Sequence, residues 1–584
     1  MFDKIRKLFG AKGLFENIVT AAFSAWFLVS IFTGSFEDIG SLDFYKTQNF
    51  LMILLFFLIT WMVMYIVIRL FEHGGRLLFL AAVLLYSMLC ILYANNRVFA
   101  AAICILPLLV LYYVRDSVAA VAAKVPLTKN ALVVSYIILG VFCAGFISLV
   151  TVFRYLTYSA PGFDFGIFAQ MFEYMKETGL PNTTYERSRL LSHFAVHFSP
   201  VFYLVLPFYM LFPSPVTLQI AQAVALSLGL APLYLLCRHY NLSFKISLAV
   251  GICYVLYPAL AGGTYYDLHE TCFYTVCILF LLWAIETRRN IWFVVFMLLT
   301  MSIKEEAPIY LVFIALYFLF SGRDRKRGGI LLVSALAYFG VALVAIQAFG
   351  GEVMTSRCAN FMYNSEENGM IQMIKAVFMN PGYTLAECFS EDRLEYLAYM
   401  LLPLLGIMLC NKKYSQFTLL GPFLLLNLMP DWQYQHNIHF QYNFGNTALF
   451  FYIAVLNAAA FRPQKVRVWA ACSCVVSILL FCASDVKHIR YFNRYLKDPA
   501  SYAQMSELLE TIPEEASVSA STFLVPHLAG HRELYPISTQ SETEYIVVDN
   551  RYTQQAQEDL KVLDQLGGYQ QVGCFENVLT IYKK

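Results

Sequence analysis

Apolar segments that are long enough to cross a lipid bilayer, or nearly so, make up most of the chain. A helix needs about 20 apolar residues to span a hydrocarbon core of about 30 Å, and about fifteen segments approach that length. The composition agrees, because 59% of the 584 residues are hydrophobic and only 14% are charged. In soluble domains about one quarter of the residues are charged. The sequence therefore predicts an all-α polytopic membrane protein.

The distribution of lysine and arginine predicts how these segments are oriented. Short cytoplasmic loops are enriched in both residues. Every strong cluster falls on the cytoplasmic side if the N-terminus is inside and residues 198–212 do not cross. That run is bounded by prolines and is short enough to lie in the outer interface of the membrane. The predicted spans are 17–34, 50–70, 77–94, 98–114, 132–154, 216–237, 244–262, 271–287, 290–303, 307–321, 329–349, 396–411, 415–430, 446–461 and 467–484.

Changes of composition divide the chain into three units. Residues 1–130 are predicted to form an N-terminal membrane module of about four helices. Residues 131–485 form a larger membrane domain with an outer loop at 155–215. Residues 486–584 are polar and predict a small soluble α/β domain, which an odd number of spans places outside. Its predicted strands are 516–521, 545–549 and 577–582, and its predicted helix is 554–566.

Charge and cysteine content exclude some classes of function. A formal net charge of +2 provides no basic surface for nucleic acid. The 14 cysteines fall mainly inside apolar runs and form no C-x-x-C pair. They predict buried thiols in helices, and neither a zinc site nor a disulfide framework is indicated.

Polar, motif-like stretches between the predicted spans all fall on the outer side. A transporter is expected to divide its polar groups between the bilayer midplane and both faces. This asymmetry favours an enzyme or a receptor that works at the outer surface. The stretches are 164–197, 265–270, 304–306, 350–395 and 431–439.

Asp164 is the candidate catalytic residue. It lies in the sequence Gly-Phe-Asp-Phe-Gly, about ten residues after a predicted span. A carboxylate between aromatic side chains has its pKa raised by the low local dielectric and can act as a general base. The alternative is a turn aspartate that hydrogen-bonds to nearby backbone, with the two glycines as turn residues.

His193 and His197 are spaced four residues apart, so on a helix they share a face. This spacing can hold a divalent metal ion, and Asp164 is then a third, oxygen ligand. Interfacial histidines also hydrogen-bond to headgroups or phosphates, and the sequence leaves both interpretations open. No other cofactor is indicated.

Two further outer stretches carry ionisable groups as candidate substrate-binding residues. Asp267, His269 and Glu270 need a cation, a metal or Lys304 as a partner if they are buried, and otherwise form a solvated loop. Lys304 and Glu305 interrupt apolar sequence directly. Lys304 either neutralises a phosphate or pairs with a glutamate in a short connection.

His436 and His439 lie in an outer loop that is also rich in tyrosine and tryptophan. Such a loop suits stacking on sugar rings and is placed to close over a substrate. Aromatic residues of the membrane interface explain the same composition without any ligand. Both interpretations stay open.

Taken together, the motifs resemble a bacterial membrane protein family called domain of unknown function 2079, over about residues 130–584. The motifs are Phe-Asp-Phe-Gly-Ile-Phe-Ala-Gln at 163–170, His-Phe-Ser-Pro at 197–200, Leu-Phe-Pro-Ser-Pro at 211–215, Asp-Leu-His-Glu at 267–270 and Lys-Glu-Glu at 304–306. The resemblance implies a multi-pass protein of the bacterial cytoplasmic membrane.

That family in turn resembles the C-type glycosyltransferases, multi-spanning enzymes that take a sugar from a polyprenyl-phosphate carrier. In those enzymes the first outer loop bears an acidic residue, and interfacial helices precede the next span. Asp164 and residues 198–212 occupy these places. The sequence has a single aspartate where better-known members have an acidic pair.

The resemblance implies transfer of a sugar from a polyprenyl-phosphate donor to a glycan, lipid or protein acceptor at the outer face. Asp164 is then the general base, and Lys304 or Arg154 lies near the donor phosphate. The alternatives are a transporter or flippase of a lipid-linked sugar or envelope polymer, and an envelope receptor. A transporter predicts paired ionisable groups in the middle of its spans, whereas the spans 132–154, 244–262 and 329–349 have none.

Overall fold

The computed structural model describes residues 13–33, 49–93, 97–351, 356–362, 369–410, 413–540 and 542–584. These residues are mostly helical. The helices are α1 (Leu14–Thr33), α2 (Phe50–Leu70), α3 (Glu72–Tyr93), α4 (Arg97–Tyr113), α5 (Arg115–Lys124), α6 (Lys129–Leu156), α7 (Ile167–Thr178), α8 (Leu206–Leu211), α9 (Pro215–Leu228), α10 (Leu230–His239), α11 (Phe244–Val255), α12 (Pro258–Gly262), α13 (Phe273–Glu286), α14 (Asn290–Met301), α15 (Ala307–Ser321), α16 (Arg325–Ala348), α17 (Gly369–Met379), α18 (Pro381–Cys388), α19 (Glu391–Leu401), α20 (Phe444–Ala460), α21 (Pro463–Ser484), α22 (Arg490–Lys497), α23 (Pro499–Leu509) and α24 (Thr553–Leu566). The strands are β1 (Asn182–Thr183), β2 (Leu191–Ser192), β3 (Val518–Ala520), β4 (Leu534–Pro536), β5 (Tyr545–Asp549), β6 (Gln570–Phe575) and β7 (Leu579–Lys583).

Within the described ranges, 8 helical segments are long and apolar enough to cross a membrane. They are α1, α2, α3, α6, α9 with α10, α11 with α12, α16 and α21. Helices α4 and α5 would make a ninth span if the pair, bent by 64°, crosses as one. The predicted count of about fifteen is not confirmed. Composition identifies apolar sequence, but it does not show where a helix breaks.

The predicted spans that are not recovered are short or broken in the structure. Helices α13, α14 and α15 have 14, 12 and 15 residues, which is about 18 to 22 Å of helix. Only residues 396–401 of the predicted span 396–411 are α-helical, and the described residues after them and in the predicted span 415–430 form mainly short 3-10 and π turns. Proline contributes there, because Pro403 and Pro422 lack the N–H that an α-helix interior requires.

Residues 198–212 are too short in the structure to cross a bilayer, as predicted. They form a 3-10 turn, Pro200–Leu204, and the six-residue helix α8. Phe208, Leu211 and Phe212 are exposed on it. An exposed apolar segment of this length is typical of a membrane interface.

Helix α20 forms the centre of the membrane domain and is buried along almost its whole length. Its polar side chains have partners inside the bundle. The side-chain oxygen Oδ1 of Asn443, just before the helix, accepts from the Tyr396 hydroxyl at 2.7 Å, and the Asn446 side-chain amide donates to Oδ1 of Asn427 at 2.6 Å. These bonds satisfy groups that would be costly to bury alone. They fix the end of α20 from which the loop 431–443 extends.

The C-terminal region contains a five-stranded sheet of order β4-β3-β5-β7-β6. Strand β3 is parallel to β4 and to β5, whereas β7 is antiparallel to both of its neighbours. The predicted strands at 516–521, 545–549 and 577–582 and the predicted helix at 554–566 correspond to β3, β5, β7 and α24. Strands β4 and β6 were not predicted. Strand β4 has three residues and ends in proline, and β6 is a largely exposed edge strand.

This sheet region packs against the outer loop of the membrane domain. Tyr158, Ile167 and Tyr185 of the loop share one apolar cluster with residues of the sheet region. The Thr522 hydroxyl accepts the backbone N–H of Gly162 at 3.0 Å. Arg551 donates to the carbonyl oxygens of residues 157 and 158 at 3.2 and 2.8 Å. The outer loop and the C-terminal region therefore form one packed body.

Gly166 lies at the contact between the outer loop and the C-terminal region. A Cβ at this position would lie 2.6 Å from Cγ1 of Val525. We expect Gly166→Ala to lower the free energy of unfolding by about 1 to 3 kcal/mol, because overpacking forces neighbouring groups to shift. Thermal unfolding of the purified protein in detergent measures the effect.

Gly329→Ala is the matched control, because nothing lies within 4 Å of its Cβ position and alanine favours the helix. Combining Gly166→Ala with Val525→Ala should cost less than the sum of the two single changes. Equal melting temperatures for the Gly166→Ala and Gly329→Ala proteins would contradict the close contact.

Candidate active site

A cavity of about 400 Å³ lies where four of the outer stretches meet. The outer loop 155–215, the turn before α13, the segment 356–362 and the loop before α20 all contribute. The lining residues are Phe163, Asp164, Ile167, Phe168, Glu186, Arg187, His193, Val196, His197, Tyr266, His269, Arg357, Trp432, Tyr434, Phe440, Gln441 and Tyr442.

Asp164 lies in a five-residue π turn, Gly162–Gly166, that immediately precedes α7. Its backbone has φ 63° and ψ −74°, near a γ-turn conformation that is rare and strained for a residue with a side chain. Gly162 is required beside it, because a Cβ there would lie 2.5 Å from the Tyr185 hydroxyl. The two glycines therefore allow close packing around the turn that presents Asp164.

The Asp164 carboxylate is partly exposed to the cavity. Its Oδ2 accepts from the Gln441 amide at 3.3 Å. Burial raises the pKa of Asp164 to about 6, and the nearby Glu270 carboxylate adds to this rise, while Lys304 and His197 oppose it. A carboxylate with this pKa is mostly ionised at pH 7 and is still basic enough to accept a proton.

Three histidines line the cavity near Phe168. His193 and His197 lie on one turn, with their ring centroids 5.9 Å apart, and the Phe168 ring meets His193 and His269 edge to face at 5.3 and 5.6 Å. His193 Nδ1 is 3.0 Å from Glu186. Its Nε2 is buried and has no hydrogen-bond partner among the described residues. That nitrogen is available to a bound molecule.

His193 and His269 differ in how readily they take up a proton. Burial acts to lower the pKa of His193, but the Glu186 carboxylate raises it above its usual value. Burial and then the positive charge of Lys304 hold the pKa of His269 well below its usual value. His193 therefore takes up a proton more readily than a free imidazole, and His269 does so less readily.

Aromatic side chains and two arginines form the remaining wall. Tyr434 lies 4.4 Å from Phe440 and 5.3 Å from Trp432, measured between ring centroids. The guanidinium of Arg357 lies over the Tyr442 ring at 5.2 Å. Arg187 also lines the cavity, with a backbone φ of 58°. The wall thus offers flat apolar faces together with positive charge.

Residues 154–579 match the model of a family described as "predicted membrane protein (DUF2079)". The chain belongs to this family. The match covers nearly three quarters of the chain and contains every residue that lines the cavity. No curated protein matches the chain.

In this DUF2079 protein, four of the predicted site residues line the cavity and three lie behind it. Asp164, His193, His197 and His269 line it. Behind them, the Lys304 ammonium lies 2.9 Å from Glu270, and Glu305 accepts from the backbone N–H of Phe198 and lies 2.8 Å from His197 Nδ1.

The pair of Lys304 and Glu270 is buried almost completely. Burial acts to lower the pKa of Lys304, but the carboxylates of Glu270, Glu306 and Glu305 raise it above its usual value. Burial also opposes the shift of Glu305, whose pKa His197 lowers to about 2. These charges hold the cavity wall in place, and Lys304 is already neutralised by protein carboxylates.

The other predicted site residues do not line the cavity. Arg154 forms a buried ion pair with Asp267, and Gln219 donates to the same carboxylate at 2.7 Å. His436 lies 3.0 Å from Asp392. The His439 ring stacks on Tyr265 at 5.7 Å. The expectation that Arg154 or Lys304 lies beside a donor phosphate is therefore not supported by this geometry.

The predicted metal set of Asp164, His193 and His197 also lacks support. Within the described parts of the chain, no group of three or more His, Cys, Asp or Glu side chains could hold a metal ion. His193 and His197 each direct Nδ1 to a glutamate instead.

Sequence reasoning did not single out Glu186, Arg187, Arg357 or Gln441. The first two lie in the outer loop. Arg357 lies in the stretch 350–395, which was expected on the same face, and Gln441 lies two residues after the stretch 431–439. Each is a lone polar residue without a motif, so only proximity in the fold distinguishes it. A positive φ at Arg187 has no sequence signature either.

The raised pKa of Asp164 predicts that this residue destabilises the fold at neutral pH. A carboxyl with a folded-state pKa above its unfolded value is harder to ionise in the folded protein, so stability falls as pH rises from about 4 to 6. Asp164→Asn should therefore raise the melting temperature at pH 7.5, with a difference that shrinks toward pH 4. Thermal unfolding at both pH values is the measurement.

Asp392→Asn is a control for which the opposite change in melting temperature is expected. Despite partial burial, the Ser390 hydroxyl and His436 lower the pKa of Asp392, so losing its charge should reduce stability at neutral pH. If Asp164→Asn lowered the melting temperature at pH 7.5, as expected for Asp392→Asn, ionised Asp164 would not destabilise the folded protein.

Lys304→Met should destabilise the protein by about 3 to 5 kcal/mol, because it leaves the buried Glu270 carboxylate without its cation. Adding Glu270→Gln should recover part of that loss, since the uncompensated charge is then gone. Denaturant unfolding of the two single variants and the double variant measures the coupling. Simple additivity of the two losses would show that the pair does not interact.

Proposed function

We propose that the protein is a membrane glycosyltransferase that moves a sugar from a polyprenyl-phosphate donor to an acceptor hydroxyl. The observation that carries the proposal is a partly buried carboxylate with a pKa of about 6 in a cavity that also holds arginines and stacked aromatic rings. Each of these features corresponds to one part of the reaction.

The aromatic rings suit a sugar, because flat apolar faces stack against the C–H faces of pyranose rings. Trp432, Tyr434 and Phe440 present such faces along one wall. The arginines suit a phosphodiester, since a guanidinium offers several N–H donors to phosphate oxygens. Arg357 and Arg187 take this role in place of Lys304 and Arg154, which are held by buried carboxylates.

The reaction would proceed as a direct displacement. The Asp164 carboxylate accepts the proton of the acceptor hydroxyl while that oxygen forms a bond to the anomeric carbon. The bond between the anomeric carbon and the phosphate oxygen breaks, and polyprenyl phosphate leaves with the bonding electron pair. Positive charge from Arg187 and Arg357 stabilises the leaving phosphate. Attack from the opposite side inverts the anomeric configuration.

The lipid chain of the donor has apolar surface to follow. The exposed apolar residues of α8 belong to the same outer loop that supplies Asp164. Helix α16, whose apolar surface is largely exposed, ends beside the histidine turn, where Phe349 contacts Phe194 at 5.5 Å. A polyprenyl tail in the membrane could therefore lie near the cavity wall without entering it.

Asp164→Asn should reduce sugar transfer by at least about 100-fold, the usual contribution of a general base. The measurement is turnover of radiolabelled polyprenyl-phosphate sugars by the purified protein in lipid. In the unaltered protein, the rate at subsaturating donor should rise about fivefold between pH 5 and pH 6 and level off above pH 7, as Asp164 ionises. Asp392→Asn is the control and should retain both the rate and this profile.

Full activity of a folded Asp164→Asn protein would exclude the assigned base. Donor binding without turnover by either protein would favour the second candidate, a transporter of lipid-linked sugars. The observation in its favour is that the short helix α13 has a cavity at each end, of which the second is described below.

A further inference from the structure

A second cavity, of about 500 Å³, lies at the opposite ends of the helices that border the candidate active site. The candidate active site adjoins the N-terminal ends of α13 and α15, whereas this cavity adjoins their C-terminal ends. Helices of 14 and 15 residues separate the two by about 20 Å. The lining residues are His239, Ile285, Glu286, Arg288, Phe318, Arg323, Asp324 and Lys413.

Both acidic residues of this second cavity are neutralised by arginine. Glu286 is nearly buried, lies 2.9 Å from Arg323, and accepts from the Tyr452 hydroxyl at 2.5 Å. Asp324 forms an ion pair with Arg327. Neither of these carboxylates therefore pairs with Arg288.

Arg288 is the basic residue that is best placed to bind an anion there. It lies in the turn after α13 with a backbone φ of 56°, and its side chain is exposed. Among the described residues, no ion pair or side-chain hydrogen bond engages its guanidinium. Arg323, in contrast, is fixed by Glu286 and by a 2.7 Å hydrogen bond to the Tyr240 hydroxyl.

We propose that this second cavity binds a phosphate group, with Arg288 as its principal ligand. Arginine N–H groups match phosphate oxygens in geometry and charge. The cavity lies on the face that the lysine and arginine distribution predicts to be cytoplasmic, where anionic lipids attract basic segments. The phosphate could belong to an anionic lipid headgroup or to a soluble anion. This site is separate from the proposed glycosyltransferase site and does not depend on it.

The test uses the full-length protein in nanodiscs and follows its melting temperature. In one arm, inorganic phosphate is titrated in nanodiscs of zwitterionic phosphatidylcholine. In the other arm, phosphatidylglycerol replaces a growing share of the phosphatidylcholine, with no phosphate added. A ligand that binds the folded state raises the melting temperature in a concentration-dependent manner.

Three variants make the test specific. Arg288→Gln removes the principal ligand, and Lys413→Gln removes a second lining cation. Arg289→Gln is the matched control, because Arg289 is the next residue, is exposed, lies over the Trp283 ring at 5.2 Å and does not line the cavity. We expect at least fivefold more anion for half-maximal stabilisation of Arg288→Gln than of the unaltered protein, a smaller shift for Lys413→Gln and none for Arg289→Gln.

Each outcome either identifies the source of the bound phosphate group or contradicts the proposed phosphate site. Stabilisation by phosphatidylglycerol alone identifies a lipid headgroup, and stabilisation by inorganic phosphate in phosphatidylcholine identifies a soluble phosphate. Equal weakening by Arg288→Gln and Arg289→Gln would show general surface charge and overturn the proposal. No stabilisation by either anion would overturn it as well.

Discussion

A buried ionic cluster behind the cavity wall joins the break between α14 and α15 to the turn before α13 and to the outer loop. Lys304 lies in the break between α14 and α15, its partner Glu270 precedes α13, and Glu305 reaches the histidine turn of the outer loop. Isolated charges inside a membrane domain would be very costly, so each constrains the position of its partner. The short helices α13 to α15 can end within the bundle because these breaks are held together by charge.

The C-terminal region also constrains the turn that bears Asp164. In many α/β sheets the carboxyl ends of parallel strands bind a ligand. Here the ends of β3 and β5 are occupied by the protein itself, because Thr522 and Arg551 bind the backbone of the outer loop. The C-terminal region therefore supports the strained turn at Asp164 from behind. This arrangement leaves the opposite side of the turn free to face the cavity.

The sequence predicted the membrane class and much of the C-terminal sheet. It also singled out Asp164, His193 and His197, which the fold brings to one cavity, while their role stays a prediction. Apolar runs and alternating patterns are local properties, so they can be read from a single chain. The number of spans could not be predicted well, since helix breaks such as that at Pro403 depend on packing. The sequence left open whether Lys304 binds a phosphate or pairs with an acidic residue, and in the structure it pairs with Glu270. The pairing of Arg154 with Asp267 was not predicted, because such a partner is recognisable only once the fold brings it near. Arg357 was missed for the same reason.

The contact between the sheet and the outer loop also sets an order of events during synthesis. Thr522 follows Gly162 by 360 residues, and ribosomes add about 5 to 20 residues per second. The turn that bears Asp164 therefore waits about 20 to 70 seconds before its support exists. A chain that stops short of the sheet can have all its long helices, while the turn that bears Asp164 lacks its support. Premature termination would thus yield a membrane protein that occupies lipid with this turn unsupported.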